Sequence, residues 1–354
     1  MGTKLSIIIL HYKNYEETIA CVNSALRQQG EGYEIVVVDN GSNDGSFELL
    51  KRHFRKVPHV TLKKLKKNLG FARGNNAGIR YARKHLGAEN CFVCNSDVVF
   101  GSTLFQELLA AAEKGVGVIS PTVLDAEHNP QPLSVNTRNP YSTIALTWLY
   151  VLYKSLPDNL RKELLPFFQT NLFGPSWKLV KAVYELSVLI LEKYGPAVKR
   201  EGEKIIKSRR KSTGPKKPGV KSPDSKNLET KSPNIRNAGA RSLGTISSAR
   251  KGKDLYQIQG CAFLLTKEYF RFYTQLYPKT FLYGEELNLA LYLKKAGLRA
   301  VVADTSPVIH KGKQSSKEFT QKEGEKKRLM FARHSLFQSL PLVFLGHTTI
   351  KKLF

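Results

Sequence analysis

Two short apolar runs near the start of the chain constrain its fold most. The segment LSIIIL occupies residues 5–10 and EIVVVD occupies residues 34–39. Continuous apolar runs of this length, rich in β-branched residues, are typical of strands buried on both faces of a sheet. Between them, Ile19, Val22 and Leu26 recur at helical spacing. The order strand, helix, strand therefore predicts an α/β fold with a mostly parallel sheet flanked by helices.

The alternation continues along the chain. We expect a short helix outlined by Phe47, Leu50 and Phe54, and a longer one after a glycine-rich entry at residues 70–78. A further helix should begin near Gly284. Strands are predicted at residues 59–62, 91–97, 256–266 and 298–304, and a polar loop at residues 308–316.

Charge divides the chain into unequal regions. The 354 residues include 56 Lys and Arg against 29 Asp and Glu, which gives a net charge of +27. Residues 193–253 hold 18 Lys and Arg against 4 Asp and Glu and so carry +14 of this charge. We expect residues 1–135 and 255–320 to form two halves of one domain. Residues 136–254 would be an insertion, helical at 141–207 and a disordered basic loop at 208–253. Residues 321–354 would form a basic and apolar tail.

Polar residues follow two predicted strands. Asp39 ends the second, before Asn40 and Gly41, and Asn95-Ser96-Asp97 ends the fourth. Ligands of parallel sheets bind beyond the carboxyl ends of the strands, where a carboxylate can accept from a base or ribose or hold a divalent cation. The same residues are also ordinary turn formers, so spacing alone leaves both interpretations open.

Several functions are disfavoured by the sequence. The first strand is followed by LHYKNYEE rather than GxGxxG, which counts against a dinucleotide-binding dehydrogenase, and the phosphate loop GxxxxGK[ST] is missing. Four cysteines form no disulfide framework, and Cys91-Phe-Val-Cys94 lies in an apolar strand, where we expect packing rather than zinc binding. The high positive charge indicates an anionic partner: nucleic acid, a membrane surface or a phosphorylated substrate.

Seven segments, taken together, resemble family 2 glycosyltransferases. They are LSIIILHYKNYEETIACVNSAL, IVVVDNGSNDGS, NLGFARGNNAGI, CNSDV, QGCAFLLTKEYF, FLYGEELNLALYLKKAG and HKGKQSS. Their order is similar to that in the bacterial rhamnosyltransferase-like branch that builds surface polysaccharides. The resemblance covers residues 4–120 and 256–316. It implies a Rossmann-like GT-A fold, a nucleotide-sugar donor and a divalent cation, Mg²⁺ or Mn²⁺.

The resemblance also implies roles for individual residues. Asp97 and His310 would hold the metal. The donor nucleotide would be bound by Tyr12, Asp39, Gly41, Asn68, Arg73, Asn95 and Ser96.

The segment GEELN at residues 284–288 departs from the family pattern. It corresponds to Gly-Glu-Asp-x-Asp, in which the first Asp is the catalytic base. Here Glu286 takes that position with one additional methylene, and Asn288 replaces the second Asp. We expect Glu286 to be the base, with Glu285 and Asn288 as supporting residues.

The expected function is an inverting, metal-dependent hexosyltransferase of polysaccharide synthesis. It would move a sugar, with rhamnose as one candidate, from a dTDP- or UDP-sugar to a glycan or lipid-linked acceptor. We expect it in the cytoplasm, held peripherally on the anionic inner face of the cell membrane. One alternative is a catalytically impaired scaffold of the same fold. The other is a nucleic-acid-binding protein, but no recognition motif accompanies the charge, and we expect no nucleic-acid partner.

Overall fold

The computed structural model describes residues 4–131, 140–141, 144, 258–312 and 321–353. Apart from residues 140, 141 and 144, the insertion predicted at 136–254 lies outside the described residues. The strands are β1 Leu5–His11, β2 Tyr33–Asp39, β3 Val60–Lys64, β4 Asn90–Asn95, β5 Val98–Phe100, β6 Val116–Ser120, β7 Val123–Leu124, β8 Ala262–Leu265, β9 Arg299–Val302 and β10 Val308–His310. The helices are α1 Tyr15–Leu26, α2 Ser46–Phe54, α3 Phe71–His85, α4 Leu104–Ala110, α5 Lys267–Phe272, α6 Glu285–Ala296, α7 Gln321–Phe344 and α8 His347–Leu353.

Seven strands form the main sheet in the order β3-β2-β1-β4-β8-β6-β9. All neighbours pair in parallel except β8, which runs antiparallel to both β4 and β6. The predicted α/β fold with a mostly parallel sheet is therefore confirmed.

The two apolar runs form the buried centre of this sheet. Ile7, Ile8 and Ile9 of β1 have no exposed surface, as expected for a strand covered on both faces. Helix α3 approaches β1 closely through Gly78, where an added Cβ would come within 2.5 Å of the Ile8 side chain. Cys91 and Cys94 are both fully buried in β4, so the CxxC segment belongs to the core.

The polar loop predicted at residues 308–316 is partly wrong. Val308–His310 form β10, which pairs antiparallel with β5 and parallel with β7 in a second sheet of three strands. The strand is only three residues long and has no alternating pattern, so its pairing depends on residues about 200 positions earlier. The strand predicted at 256–266 is also shorter, since β8 begins at Ala262.

The C-terminal helices pack against the β8–β10 half. The Ser335 hydroxyl in α7 donates to the carbonyl of Leu282 at 2.8 Å, and the Lys295 ammonium of α6 donates to the carbonyl of Val343 at 3.2 Å. In the described part of the chain, no helix combines the length and apolarity that crossing a bilayer requires.

Candidate active site

Three adjacent parallel strands end in polar side chains at one edge of the sheet. In the register of the sheet, His11 of β1 pairs with Asp39 of β2, and Leu10 pairs with Asn95 of β4. Because parallel strands present their carboxyl ends together, residues far apart in sequence meet there.

Asp39 occupies the centre of this edge. Its side chain is fully buried, and Oδ1 accepts a hydrogen bond from the backbone N–H of Ser42 at 2.9 Å. The second oxygen, Oδ2, is buried without a hydrogen-bond partner among the described residues. A buried carboxylate oxygen left in this way has capacity for a donor group on a ligand.

Asn40 and Asn68 shape the wall beside Asp39. The Asn40 amide donates to Oδ1 of Asn68 at 3.0 Å and accepts from the backbone N–H of Leu69 at 2.9 Å. Gly41 adopts a φ of 76° and lies against the backbone of residues 67–68, where an added Cβ would approach the Asn68 nitrogen to 2.7 Å. The turn after β2 therefore folds onto the segment that leads into α3.

Tyr12 and Arg73, two further predicted donor contacts, lie at the surface. Tyr12 follows β1 and is 42% exposed, and Arg73 is exposed in the first turn of α3. Neither side chain is held in the protein interior. Their contacts with a bound nucleotide therefore remain predictions.

His11 is a buried site residue that sequence reasoning missed. Its Nδ1 lies 2.7 Å from the Thr18 hydroxyl and its Nε2 lies 2.9 Å from the Ser46 hydroxyl. Burial lowers the pKa of the imidazole, while the charges of Asp39 and Asp44 act in the opposite direction. This network ties the end of β1 to the starts of α1 and α2. The sequence feature that could have indicated His11 is a polar residue at the end of an apolar strand.

Asp97 and His310, the predicted metal ligands, are adjacent. Oδ1 of Asp97 lies 3.4 Å from Nε2 of His310, and the backbone N–H of Lys311 donates to the carbonyl of Asp97 at 3.1 Å. Burial would lower the pKa of His310, but hydrogen bonds to Asp97 and Cys261 and the Asp97 charge raise it to about 10.

The side chains of Asp97 and His310 fit a metal ion whose remaining ligands come from a bound substrate and water. Within the described ranges, no three His, Cys, Asp or Glu side chains converge to hold a metal ion by themselves. One carboxylate and one imidazole, both partly exposed, would supply two ligands. Phosphate oxygens and water would have to supply the rest, as is common for Mg²⁺.

Glu286 lies against the backbone of Gly260, just before β8. The Gly260 N–H forms a hydrogen bond to the carboxylate, and a Cβ at residue 260 would overlap Oε1 and approach Cδ to 3.0 Å. Burial raises the pKa of Glu286, while hydrogen bonds from the backbone N–H groups of Glu286 and Gly260 act to lower it. Burial thus supplies the shift toward neutral pH that a general base needs.

Glu285 and Asn288 share the first turns of α6. Burial and the neighbouring charge of Glu286 raise the pKa of Glu285 to about 8, and its Oε1 is buried without a partner among the described residues. Asn288 is 2% exposed, and neither its amide oxygen nor its amide nitrogen has a hydrogen-bond partner among the described residues. The turn before α6 is set by Tyr283 and Gly284, with φ of 70° and 86°.

Gly260 and Cys261 connect the candidate base to the candidate metal ligands. Gly260 contacts Glu286, while the next carbonyl, that of Cys261, accepts from the backbone N–H of Asn95 at 2.9 Å. The Cys261 thiol also forms a hydrogen bond with His310. Gly260 lies in the segment QGCAFLLTKEYF that resembles the family, but the sequence alone assigned no role to it. A glycine at the start of a strand was the available signal for a close approach.

Comparison with known proteins shows which family the N-terminal part of the chain resembles. Residues 6–176 match the family model described as glycosyl transferase family 2. Over these residues, just under half of its length, the chain is similar to glycosyltransferase family 2. Together with the sheet, the match confirms the predicted GT-A fold. Gly260, Glu286 and His310 lie beyond the matched residues, so their roles remain predictions.

The similarity to curated relatives extends over part of the chain. The uncharacterized glycosyltransferase YibD of Escherichia coli (strain K12) is 32% identical over 109 residues, which is 31% of this chain and 30% of that protein. The low-salt glycan biosynthesis hexosyltransferase Agl10 of Haloferax volcanii is 35% identical over 127 residues, 36% of this chain and 38% of that protein. The chain therefore spans about a third of the length of these relatives.

Among solved structures, the chain is similar to S. aureus TarS 1-349, crystallised in complex with UDP-GlcNAc. The identity is 20% and the TM-score is 0.33, with 37% of this chain and 38% of that chain covered.

Proposed function

We propose that this protein is an inverting glycosyltransferase that uses Glu286 as its general base. The observation that supports this most directly is the contact between Glu286 and Gly260, one residue before the Cys261 carbonyl that holds Asn95. A carboxylate with a raised pKa thereby lies next to the strand-end residues expected to bind a nucleotide diphosphate.

In the proposed reaction, the Glu286 carboxylate removes the proton of an acceptor hydroxyl. The acceptor oxygen bonds to the anomeric carbon from the face opposite the nucleotide, and the bond from that carbon to the diphosphate oxygen breaks. The proton stays on Glu286, and the electron pair leaves with the nucleoside diphosphate. Holding both substrates at one edge of the sheet supplies much of the rate enhancement.

The space over Gly260 supports a functional glutamate at residue 286. The extra methylene of Glu relative to Asp requires room, and residue 260 has no side chain to occupy it. The Oε1 and Cδ of Glu286 occupy the space that a Cβ of residue 260 would need, and Cδ lies 3.0 Å from its position. The departure from the family pattern is thus accommodated in this chain.

Asp39, whose Oδ2 has no hydrogen-bond partner in the part of the chain that the structure describes, is our candidate for contact with the nucleoside base of a dTDP- or UDP-sugar. Asp97 and His310 would hold Mg²⁺ or Mn²⁺, which would stabilise charge on the departing diphosphate. The relative named hexosyltransferase supports a hexose donor, and rhamnose is our candidate by resemblance. We propose a glycan or lipid-linked acceptor at the cytoplasmic face of the cell membrane.

The test is a donor screen with a divalent cation that measures release of nucleoside diphosphate and sequences the product. Glu286→Gln should abolish transfer while the affinity for the nucleotide sugar, measured by calorimetry, is retained. Full activity in this variant would exclude Glu286 as the base.

A catalytically impaired scaffold is the second candidate. It is favoured by Asn288, where the family has an acid: its buried amide has no hydrogen-bond partner among the described residues. A folded wild-type chain that binds no nucleotide sugar in the screen would support it and overturn the proposed activity. Binding of a nucleotide sugar without turnover would retain the donor site and exclude catalysis by Glu286.

A further inference from the structure

We propose that Gly70 is a positioning residue for the candidate base Glu286. It joins two parts of the molecule: the donor wall, which consists of Asn40, Asn68 and Gly70, and the base loop, residues 280–284, which leads directly into α6. The proposal rests on the proposed function for the role of Glu286 as the base. The contact that carries it lies within the protein and can be measured without substrate.

Hydrogen bonds fix Gly70 within the donor wall. The side-chain amide of Asn40 donates to Oδ1 of Asn68 at 3.0 Å and to the carbonyl of Gly70 at 3.3 Å. Oδ1 of Asn68 also accepts from the backbone N–H of Gly70 at 2.9 Å. Side chains of the donor wall thus hold both backbone polar groups of Gly70, and the residue itself is buried. The position of Gly70 is therefore set from the side where we expect the nucleotide.

The other side of Gly70 lies against the base loop. A Cβ at residue 70 would overlap the carbonyl oxygen of Phe281 and approach its carbonyl carbon to 2.7 Å. That oxygen accepts a hydrogen bond from the backbone N–H of Phe71 at 2.8 Å. Gly70 has a φ of 83° and a ψ of 179°, a conformation that is essentially confined to glycine. Both the close approach and the backbone conformation therefore require glycine at residue 70.

Helix α3 also holds the segment that precedes the base loop. Asn76 is fully buried, and its side-chain amide donates to the carbonyl and accepts from the N–H of Leu276, both at 2.8 Å. The Arg80 guanidinium donates to Oε1 of Gln275 at 2.7 Å. Residues 275–281 are thus fixed at both ends to one helix, whose first turn directly follows the donor wall.

A displacement of Phe281 has a short path to Glu286. Only residues 282–285 separate the two. Among them, Tyr283 and Gly284 form a turn in the left-handed region, with φ of 70° and 86°, which leaves the backbone little freedom to absorb a displacement. A contact that moves Phe281 should therefore move the carboxylate of Glu286, and a misplacement of about 1 Å can slow catalysis by about 10².

Helix α7 also contacts the base loop. The ring of Phe331 stacks on that of Phe281 with centroids 5.2 Å apart, and the Ser335 hydroxyl donates to the carbonyl of Leu282 at 2.8 Å. These contacts come from side chains of α7, whereas Gly70 meets the loop backbone to backbone. If α7 alone fixed the base loop, disruption of the donor wall would leave the loop unchanged.

Fluorine NMR of a label in the base loop tests the proposal without substrate. Tyr283→Cys provides a thiol for a trifluoromethyl label, and the four native cysteines are buried, which favours labelling at the new site. In the labelled chain, Asn40→Ala removes the side-chain hydrogen bonds to Asn68 and Gly70. The resonance of the label should shift or split, although Asn40 itself lies in the donor wall.

Asn90→Ala is the matched control for Asn40→Ala. Asn90 is 6% exposed, and its side-chain amide donates to the carbonyl of Lys4 at 3.0 Å and accepts from the backbone N–H of Lys267 at 2.8 Å. The variant removes a buried amide with comparable hydrogen bonds at the start of β4, whose other end carries the candidate site. The label should keep its wild-type resonance. An unchanged resonance in folded Asn40→Ala, or equal shifts in both variants, would overturn the proposal.

Gly70→Ala tests the contact directly. The added methyl group should displace Phe281 and lower kcat by about 10² or more. The Kd for UDP or dTDP, measured by calorimetry, should change much less, because the proposed nucleotide contacts do not include Gly70. Gly45→Ala is the control: Gly45 precedes α2 with a φ of 84°, and no atom of the described residues lies within 4 Å of a Cβ added there.

The two readouts separate this proposal from the proposed function. A Gly70→Ala chain with wild-type kcat and an unshifted label would exclude the positioning role. A wild-type chain that transfers no sugar would refute the proposed function, and the label would still decide whether Gly70 fixes the base loop.

Discussion

The backbone of Gly260 lies directly against the carboxylate of Glu286, although 25 residues separate them. A Cβ at residue 260 would overlap Oε1 and come within 3.0 Å of Cδ, both in the side chain that we propose as the base. In the proposed mechanism Gly260 is therefore a positioning residue that acts through Glu286.

Replacing Gly260 with alanine should displace the Glu286 carboxylate and remove the room for its longer side chain. We expect kcat to fall by about 10² or more, because a misplacement of 1 Å can cost that much, while KM for the nucleotide sugar changes little. Gly346→Ala is the control, since no atom of the described residues lies within 4 Å of a Cβ added there. A Gly260→Ala enzyme with normal kcat would contradict the positioning role.

Removal of the buried Glu285 carboxyl should change how stability depends on pH. Burial and Glu286 raise its pKa from 4.5 to about 8, so the folded state holds a proton that the unfolded state releases. The free energy of unfolding should therefore fall as pH rises from about 4.5 to 8. Glu285→Gln should flatten this dependence and be the more stable protein at pH 8, by on the order of 2 kcal/mol.

Urea unfolding at pH 5 and pH 8 measures the difference for wild type and Glu285→Gln. Glu113→Gln serves as the control, because Glu113 forms an exposed ion pair with Arg299. Parallel pH dependences for wild type and Glu285→Gln would show that Glu285 is ionised in the folded protein.

Asp39→Asn should weaken donor binding with little cost to folding. The variant keeps an oxygen that can accept from Ser42, while the oxygen that it replaces has no partner among the described residues. A charge-assisted hydrogen bond to the ligand contributes about 1.5–3 kcal/mol, so the Kd for nucleoside diphosphate should rise by about tenfold to a hundredfold. Calorimetry checks this, and an unchanged Kd with an unchanged melting temperature would exclude Asp39 from the donor site.

Chelation of divalent cations should abolish turnover, and Mn²⁺ should restore it. His310→Ala removes one of two proposed ligands and should raise the half-saturating Mn²⁺ concentration by about tenfold or more. Paramagnetic resonance of Mn²⁺ with nucleoside diphosphate measures binding without turnover. His53→Ala, on the outside of α2, is the control. Identical Mn²⁺ titrations of His310→Ala and wild type would remove His310 from the site.

The sequence alone determined the fold class and the order of its main elements. Runs such as residues 5–10 and 34–39 are long enough and apolar enough that only buried strands accommodate them, and helical spacing between them forces parallel pairing. Asp39, Asp97 and Glu286 could be nominated because they follow such elements within a recognisable set of motifs. Short elements could not be found in this way: β10 has three residues and is stable only through pairing with β5 and β7.

Tertiary structure decided which of these residues meet. The sequence does not show that Gly260 contacts Glu286, that His310 lies 3.4 Å from Asp97, or that His11 joins Thr18 to Ser46. These contacts depend on β8 running antiparallel between β4 and β6 and on β10 returning to β5. Local propensity depends on a residue's near neighbours in the chain. The raised pKa of Glu286 and the capacity of the buried Asp39 Oδ2 to accept a hydrogen bond from a ligand follow instead from burial by segments far away in sequence.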